Sequence, residues 1–200
     1  MNFDPCTPAD DQPLHPRVAR SRARVLEAAT ELLAEHGPRA VTVDAVTEHS
    51  GVAKSTIYRH WPSQTALLVD VFRNNVPPLP EVDPALDFEG ALREHVAGLL
   101  EAFSDPHWRN IMPALFLLKR QIEELDEITA MDVEERASAF HEVMALGVAE
   151  GRIPADLDPH LPMTAIVGPL MFAVLGGHID EQRVADYVVE ELLAAYPPPT

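Results

Sequence analysis

The stretch GVAKSTIYRHWPSQTALL, residues 51–68, decides how this chain is interpreted. Gly51 can adopt the left-handed conformation that ends a helix, and Pro62 disfavours helical dihedrals in the residue before it. Ser63 can cap a further helix. The stretch therefore predicts a helix over 54–60 between two turns, which is the second half of a helix-turn-helix.

The residues before this stretch complete a small helical unit. Thr42 can cap a helix over 43–50, which a three-residue turn separates from the helix at 54–60. Apolar residues repeat at helical spacing through 17–36, and a helix of about 64–75 carries another apolar face. We expect seven apolar residues to pack between these helices: Leu26, Ala29, Leu33, Val43, Val46, Val52 and Ile57.

The second helix carries a polar outer face, made of Lys54, Ser55, Thr56, Tyr58 and His60. Short hydroxyl side chains let a backbone approach base edges in the major groove, while Tyr and His reach flanking phosphates. Lys54 can contact guanine or a phosphate. The face therefore suits DNA, although the helix spacing alone also fits a structural corner between two core helices.

Charge is distributed unevenly along the 200 residues, whose formal net charge is −17. Residues 17–73 carry eight Lys and Arg against six Asp and Glu, whereas residues 74–200 carry seven against twenty-three. Four arginines lie at the start of the first helix: Arg17, Arg20, Arg22 and Arg24. Cations there oppose the helix dipole, and a phosphate partner would explain them as well as a solvated face would. Arg20 and Arg24 are therefore candidate DNA contacts.

Several classes of protein are disfavoured by what the sequence lacks. It has no run of about 20 apolar residues, so we expect no contact with a membrane. Cys6 is the single cysteine, and the first residues do not resemble a secretory signal, which fits the cytoplasm. The nine histidines show no metal-binding spacing, and no catalytic or phosphate-loop motif occurs. We therefore predict no metal site, no catalytic residues, no cofactor and no enzymatic activity.

Proline-rich segments divide the chain into three regions. Residues 1–16 contain four prolines and no apolar periodicity, which predicts a disordered tail. Residues 17–75 form the helix-turn-helix domain, and PPLPEVDP at 77–84 marks a boundary. The second domain, 76–200, contains helical patterns only, at about 85–103, 106–122, 127–149, 159–176 and 180–195. The fold is therefore predicted to be all-α.

The second domain is predicted to bind a small molecule and a second copy of the chain. Aromatic and methionine side chains suit an adaptable apolar cavity, although each of them also fits an ordinary core. The candidates for the cavity wall are Phe103, Trp108, Met112, Phe116, Phe140, Met144 and Phe172. The last two helices each carry an apolar face, which we expect to pair with those of a partner in a four-helix bundle.

The run TVDAVTEHSGVAKSTIYRHWPSQTALL, residues 42–68, resembles the N-terminal DNA-binding domain of the TetR family of transcriptional regulators. The matching features are the Thr42 cap, the Gly-Val turn at 51–52, Thr-Ile-Tyr-Arg-His-Trp at 56–61, Ser63 and the Leu pair at 67–68. The rest of the chain resembles the family in being helical and in carrying Gly-Pro-Leu at 168–170.

This resemblance implies a homodimer on a partly palindromic double-stranded DNA operator, with a small-molecule effector bound by the C-terminal helices. By motif position, Lys54, Ser55 and Thr56 face the bases, whereas Thr42, Tyr58 and His60 contact phosphates. The chain departs from the family at Gln64, where a phosphate-contacting Lys is usual, and at Asp44, which brings a negative charge near the DNA surface.

Two functions follow from these patterns. The first is a ligand-responsive transcriptional regulator, a repressor that its effector releases from the operator. The alternative is a ligand-binding or protein-interaction module in which the DNA-binding motif is vestigial; Asp44, Gln64 and the low net charge of the first domain motivate it.

Overall fold

The protein is an array of α-helices. The computed structural model describes residues 16–78, 82–83, 85–119 and 121–199, with the backbone alone for residues 124 and 126–137. Every regular element within these residues is helical, so the predicted all-α fold is confirmed. The prediction of a disordered tail falls, except for Pro16, outside the described residues.

Four helices and a short 3₁₀ turn build the first domain: α1 (Pro16–His36), the turn Pro38–Ala40, α2 (Val43–Ser50), α3 (Lys54–His60) and α4 (Gln64–Asn75). Thr42 Oγ1 accepts from Ala45 N at 3.2 Å, and Ser63 Oγ accepts from Ala66 N at 3.0 Å, as their capping roles predict. Gly51 ends α2 with a φ of 64°. The described part of the first helix begins at Pro16, one residue before the predicted start. Proline is tolerated in a first helical turn because the N–H that it lacks has no helical partner there.

The core of the first domain lies where α1 packs against α2 and α4. Val46 and Ile57, from the two helices of the helix-turn-helix, are fully buried, and Phe72 of α4 is buried with them. Burial of these side chains fixes the angle between α2 and α3. The opposite face of α3 is consequently turned to solvent.

Five helices build the second domain: α5 (Phe88–Ser104), α6 (Pro106–Leu118), α7 (Glu123–Ala149), α8 (His160–Gly176) and α9 (Glu181–Ala195). Asp87 starts α5 three residues later than predicted, because its carboxylate accepts from Gly90 N at 2.8 Å and caps the helix there. The predicted end of α6 near residue 122 and the predicted start of α7 near residue 127 were also wrong, since α6 ends at Leu118 and α7 begins at Glu123.

The two domains share one continuous hydrophobic core. Helix α5 is central to the second domain, packing on α6, α7, α8 and α9, while α8 and α9 pack side by side. Helix α6 also packs against α1 and α4, and α4 contacts α7. The helix-turn-helix domain is thus joined to the second domain by direct packing, not only by the connection between α4 and α5. Among the described residues, none of the helices combines the length and apolar character that a bilayer crossing requires.

Candidate nucleic-acid interface

Hydrogen bonds within the turn and from α1 hold the α2–α3 corner together. Residues 51–53 join the two helices, and Ser50 Oγ accepts from Val52 N at 3.2 Å inside this turn. Arg24 of α1 donates a hydrogen bond to the carbonyl oxygen of Ser50, at the C-terminal end of α2. Helix ends leave carbonyl groups without partners, and this guanidinium satisfies one of them.

Most of the side chains of α3 that are predicted to contact DNA are exposed to solvent. Lys54 and Ser55 are exposed, Thr56 is half-buried, and the Tyr58 side chain is 53% exposed. Thr42 is exposed as well, although its hydroxyl caps α2. Lys54, Ser55 and Thr56 form the first turn of α3, and the N-terminal part of a recognition helix is the part that approaches base edges.

Lys54 is held by an acidic neighbour across the corner. Its ammonium group pairs with the carboxylate of Asp44, from the first turn of α2, and both side chains are exposed. The hydrogen bond to Asp44 raises the pKa of Lys54. The cation that the sequence assigns to base contact is therefore engaged in an ion pair in the protein without DNA.

His60 lies at the edge of the face and is half-buried. Its ring contacts Trp61 edge-on, with centroids 5.7 Å apart, and Nε2 is buried without a hydrogen-bond partner among the described residues. Burial lowers the pKa of His60, and the charges of Arg59 and Arg22 lower it further. A neutral imidazole would bond a phosphate through an N–H group and not as an ion.

The arginines of α1 differ in their surroundings. Arg20 is exposed and has no partner in the part of the chain that the structure describes, whereas Arg24 caps α2. Arg59 of α3 is a further exposed cation, which the sequence-based assignment of DNA contacts omitted. Its place beside Tyr58 in the sequence, one residue before His60, is a signal that could have found it.

A partly buried polar cluster joins α3 to α1 and α4, and sequence reasoning missed it. Asp70 of α4 accepts from Trp61 Nε1 at 2.7 Å and from Arg22 Nη2 at 2.5 Å. The guanidinium of Arg22 also lies 5.2 Å from the Trp61 ring centroid. Gln64, where a phosphate-contacting Lys was expected from the resemblance, donates to Pro38 O at 3.1 Å and ties α4 to the 3₁₀ turn.

The seven predicted cavity residues do not share one environment. Phe103, Trp108, Met112, Phe140 and Met144 are buried. Phe116 and Phe172, in contrast, are 43% and 67% exposed. Among the described residues no cluster of three or more His, Cys, Asp or Glu could hold a metal ion.

Models of known protein families match both halves of the chain. A family model described as "Bacterial regulatory proteins, tetR family" matches residues 25–71, and one described as "Tetracyclin repressor-like, C-terminal domain" matches residues 84–192. The uncharacterized HTH-type transcriptional regulator YdeS of Bacillus subtilis is 26% identical over 179 residues, which cover 87% of this chain and 89% of that protein.

One further relative and one solved structure are similar to this protein over most of the chain. The HTH-type transcriptional repressor KstR2 of Mycolicibacterium smegmatis is 24% identical over 160 residues, or 76% of each protein. A transcriptional regulator from Rhodococcus sp. Rha1 shares the fold, with a TM-score of 0.71 at 20% identity over 87% of this chain and 96% of that one.

The helix-turn-helix geometry and the two family matches agree, and the second match alone spans more than half of the chain. This chain belongs to the tetR family of helix-turn-helix transcriptional regulators.

Proposed function

We propose that this protein is a homodimeric, cytoplasmic repressor that a small-molecule effector releases from a partly palindromic operator. The observation that carries the proposal is the exposed polar face of α3, with Lys54, Ser55 and Tyr58 directed to solvent above the buried Ile57. The name of KstR2, a transcriptional repressor, supports repression. Lys54, Ser55 and Thr56 contact bases in this proposal, whereas Thr42, Tyr58, His60, Arg20 and Arg24 contact phosphates.

An exposed apolar stripe on α8 supports the homodimer. Leu161, Ala165, Pro169 and Phe172 follow one another at spacings of three and four residues, and all four are exposed. A groove of about 530 Å³ runs beside this stripe between α8 and α9, and exposed Tyr187 lines its other wall. An apolar face of this length is typical of a surface that a partner covers.

The contacts between the domains support effector coupling. Helix α4 follows the recognition helix directly and packs against α1, α6 and α7. Asn75, at the end of α4, donates to Thr30 Oγ1 of α1 at 3.0 Å. An effector that binds better when α6 and α7 move would shift α4, and with it the separation of the two recognition helices in the dimer.

Selection of DNA from a random pool by the full-length protein tests the proposal. We expect enrichment of a partly palindromic sequence that binds more tightly than scrambled DNA in fluorescence anisotropy. We also expect the affinity to fall steeply with salt, because phosphate contacts release counterions. Small molecules that raise the melting temperature would then be titrated into the complex, and at least one should weaken operator binding. A pool without enrichment would favour the vestigial motif instead.

Two variants separate base contacts from phosphate contacts. Lys54→Ala should lower the affinity for the selected sequence about tenfold or more and the affinity for scrambled DNA only a little, as expected for a lost base contact. Tyr58→Phe should weaken binding to both sequences by a similar factor, because every sequence offers phosphates. Equal losses on both DNAs for both variants would contradict the assignment.

A further inference from the structure

The ion pair between Lys54 and Asp44 lies inside the proposed DNA interface. Lys54 is the first residue of α3, and Asp44 is the second residue of α2, so the corner brings together two residues that are ten positions apart. Both side chains remain exposed, with 55% accessibility for Lys54 and 76% for Asp44. An ion pair this open to water adds little to folding stability, so its main effect falls on what Lys54 can bind.

The pair also cancels charge where DNA would bind. Helices α2 and α3 with their turn contain two cations, Lys54 and Arg59, and two carboxylates, Asp44 and Glu48. Non-specific DNA affinity comes from neutralising phosphates, and a segment without net charge supplies little of it. Of the two carboxylates, Asp44 is the one whose ion pair the structure shows; Glu48 has none among the described residues.

We propose that Asp44 is a specificity-determining residue, which withholds the Lys54 ammonium from DNA that offers phosphates alone and leaves it available to a guanine edge. This inference rests on the proposed function and names how its interface discriminates between sequences. An ammonium group has three N–H donors, so Lys54 can bond guanine O6 or N7 while it keeps Asp44.

DNA without a guanine at this position offers no base acceptor that Lys54 could bond while it keeps Asp44. Lys54 must then leave Asp44 to reach a phosphate, or bring the carboxylate close to the phosphate, where like charges repel. Both routes weaken binding to random sequences more than binding to the selected site. Asp44 therefore lowers total affinity and raises the ratio between specific and non-specific affinity.

The test compares Asp44→Asn with Glu48→Gln in the full-length protein. Both substitutions remove one exposed carboxylate from α2, and Glu48 lies one helical turn from Asp44. Affinities are measured for the sequence that the wild-type protein selects and for a scrambled version at the same salt. We expect Asp44→Asn to tighten binding to scrambled DNA about threefold more than binding to the selected site, whereas Glu48→Gln tightens both equally.

A Lys54→Met background isolates the pair. In that background, Asp44→Asn should change the ratio between specific and non-specific affinity no more than Glu48→Gln does. The reason is that the ammonium group that Asp44→Asn would release is absent. The inference is overturned if Asp44→Asn and Glu48→Gln change the ratio equally in the wild-type background, or if the Asp44→Asn effect persists without Lys54. Failure of the wild-type protein to select any sequence would overturn the proposed function together with this inference, whereas the first two results would leave that function standing.

Discussion

Trp61 Nε1 donates a hydrogen bond of 2.7 Å to the carboxylate of Asp70, across the turn that joins α3 to α4. Arg22 of α1 donates to the same oxygen at 2.5 Å, so one carboxylate connects three helices. The Asp70 side chain is only 18% accessible, and the Trp61 indole is buried. Because the carboxylate is largely shielded from water, we expect its loss to leave a partner poorly satisfied and to disturb the position of α3.

Asp70→Asn should destabilise the first domain. The amide keeps the size of the side chain but removes its charge and one acceptor, and it leaves Trp61 or Arg22 poorly satisfied. We expect a loss of about 1–3 kcal/mol in the free energy of unfolding, together with weaker DNA binding. Asp186→Asn is the matched control, since Asp186 accepts from Gln182 on the exposed surface of α9. Chemical denaturation that finds equal stability for the two variants would refute this role of Asp70.

Arg24→Gln should lower both stability and DNA affinity, whereas Arg20→Gln should lower DNA affinity alone. Loss of the Arg24 bond to Ser50 O leaves the end of α2 unsatisfied, which we expect to cost about 1 kcal/mol and to lower the melting temperature by about 2–4 °C. Arg20→Gln should leave the melting temperature unchanged and weaken binding to all DNA sequences alike, as a lost phosphate contact does. Thermal melts and anisotropy on the same preparations make the comparison; a stable Arg24→Gln protein would contradict the capping role.

His60 should make stability depend on pH in the acidic range. Burial lowers the pKa of His60 in the folded chain, whereas in the unfolded chain it lies near its ordinary value of about 6.5. Between these two values the unfolded state binds more protons, so stability is lost as the pH falls below about 6.5. His60→Gln should therefore lose less stability than the wild type between pH 7.5 and 5.5.

His178→Gln serves as the control for this measurement. His178 is exposed in the connection between α8 and α9, so this variant reports the effect of replacing a histidine elsewhere on the surface. A His60→Gln protein with the same pH dependence as the wild type would show that His60 titrates alike in the folded and unfolded chains.

Phe172→Glu should dissociate the proposed dimer. A carboxylate at the C-terminal end of the exposed α8 stripe would be buried without a partner when two copies associate, which weakens association by more than about tenfold. Leu117→Glu places the same charge at an exposed apolar residue of α6 and should not affect association. Sedimentation equilibrium distinguishes the two variants, and a dimeric Phe172→Glu protein would exclude this face as the interface.

The local features of the helix-turn-helix could be predicted from the sequence because they depend on residues close together in the chain. Thr42 and Ser63 cap helices through their own backbone neighbours, and Gly51 adopts the left-handed conformation that its missing side chain permits. The buried position of Ile57 likewise follows from the apolar repeat. These interactions span one or two turns of helix.

The second domain shows where such patterns stop being informative. Helix α8 is apolar over almost its whole surface, so hydrophobicity cannot tell which side faces the core. Phe172 was accordingly predicted as a cavity residue, and packing of α8 against α9 leaves it on the surface. Only contact between helices that are distant in sequence distinguishes the two faces.

The sequence by itself determined that this protein is all-helical, that residues 42–60 form a helix-turn-helix, and which residues belong to its polar face. Only the tertiary structure decided which polar groups in and around this motif are already engaged: Lys54 by Asp44, Arg24 by Ser50, and Trp61 by Asp70. The physical reason is the distance along the chain over which each interaction acts. Helix propensity and capping act between near neighbours, whereas the partner of a charged side chain depends on how whole helices pack.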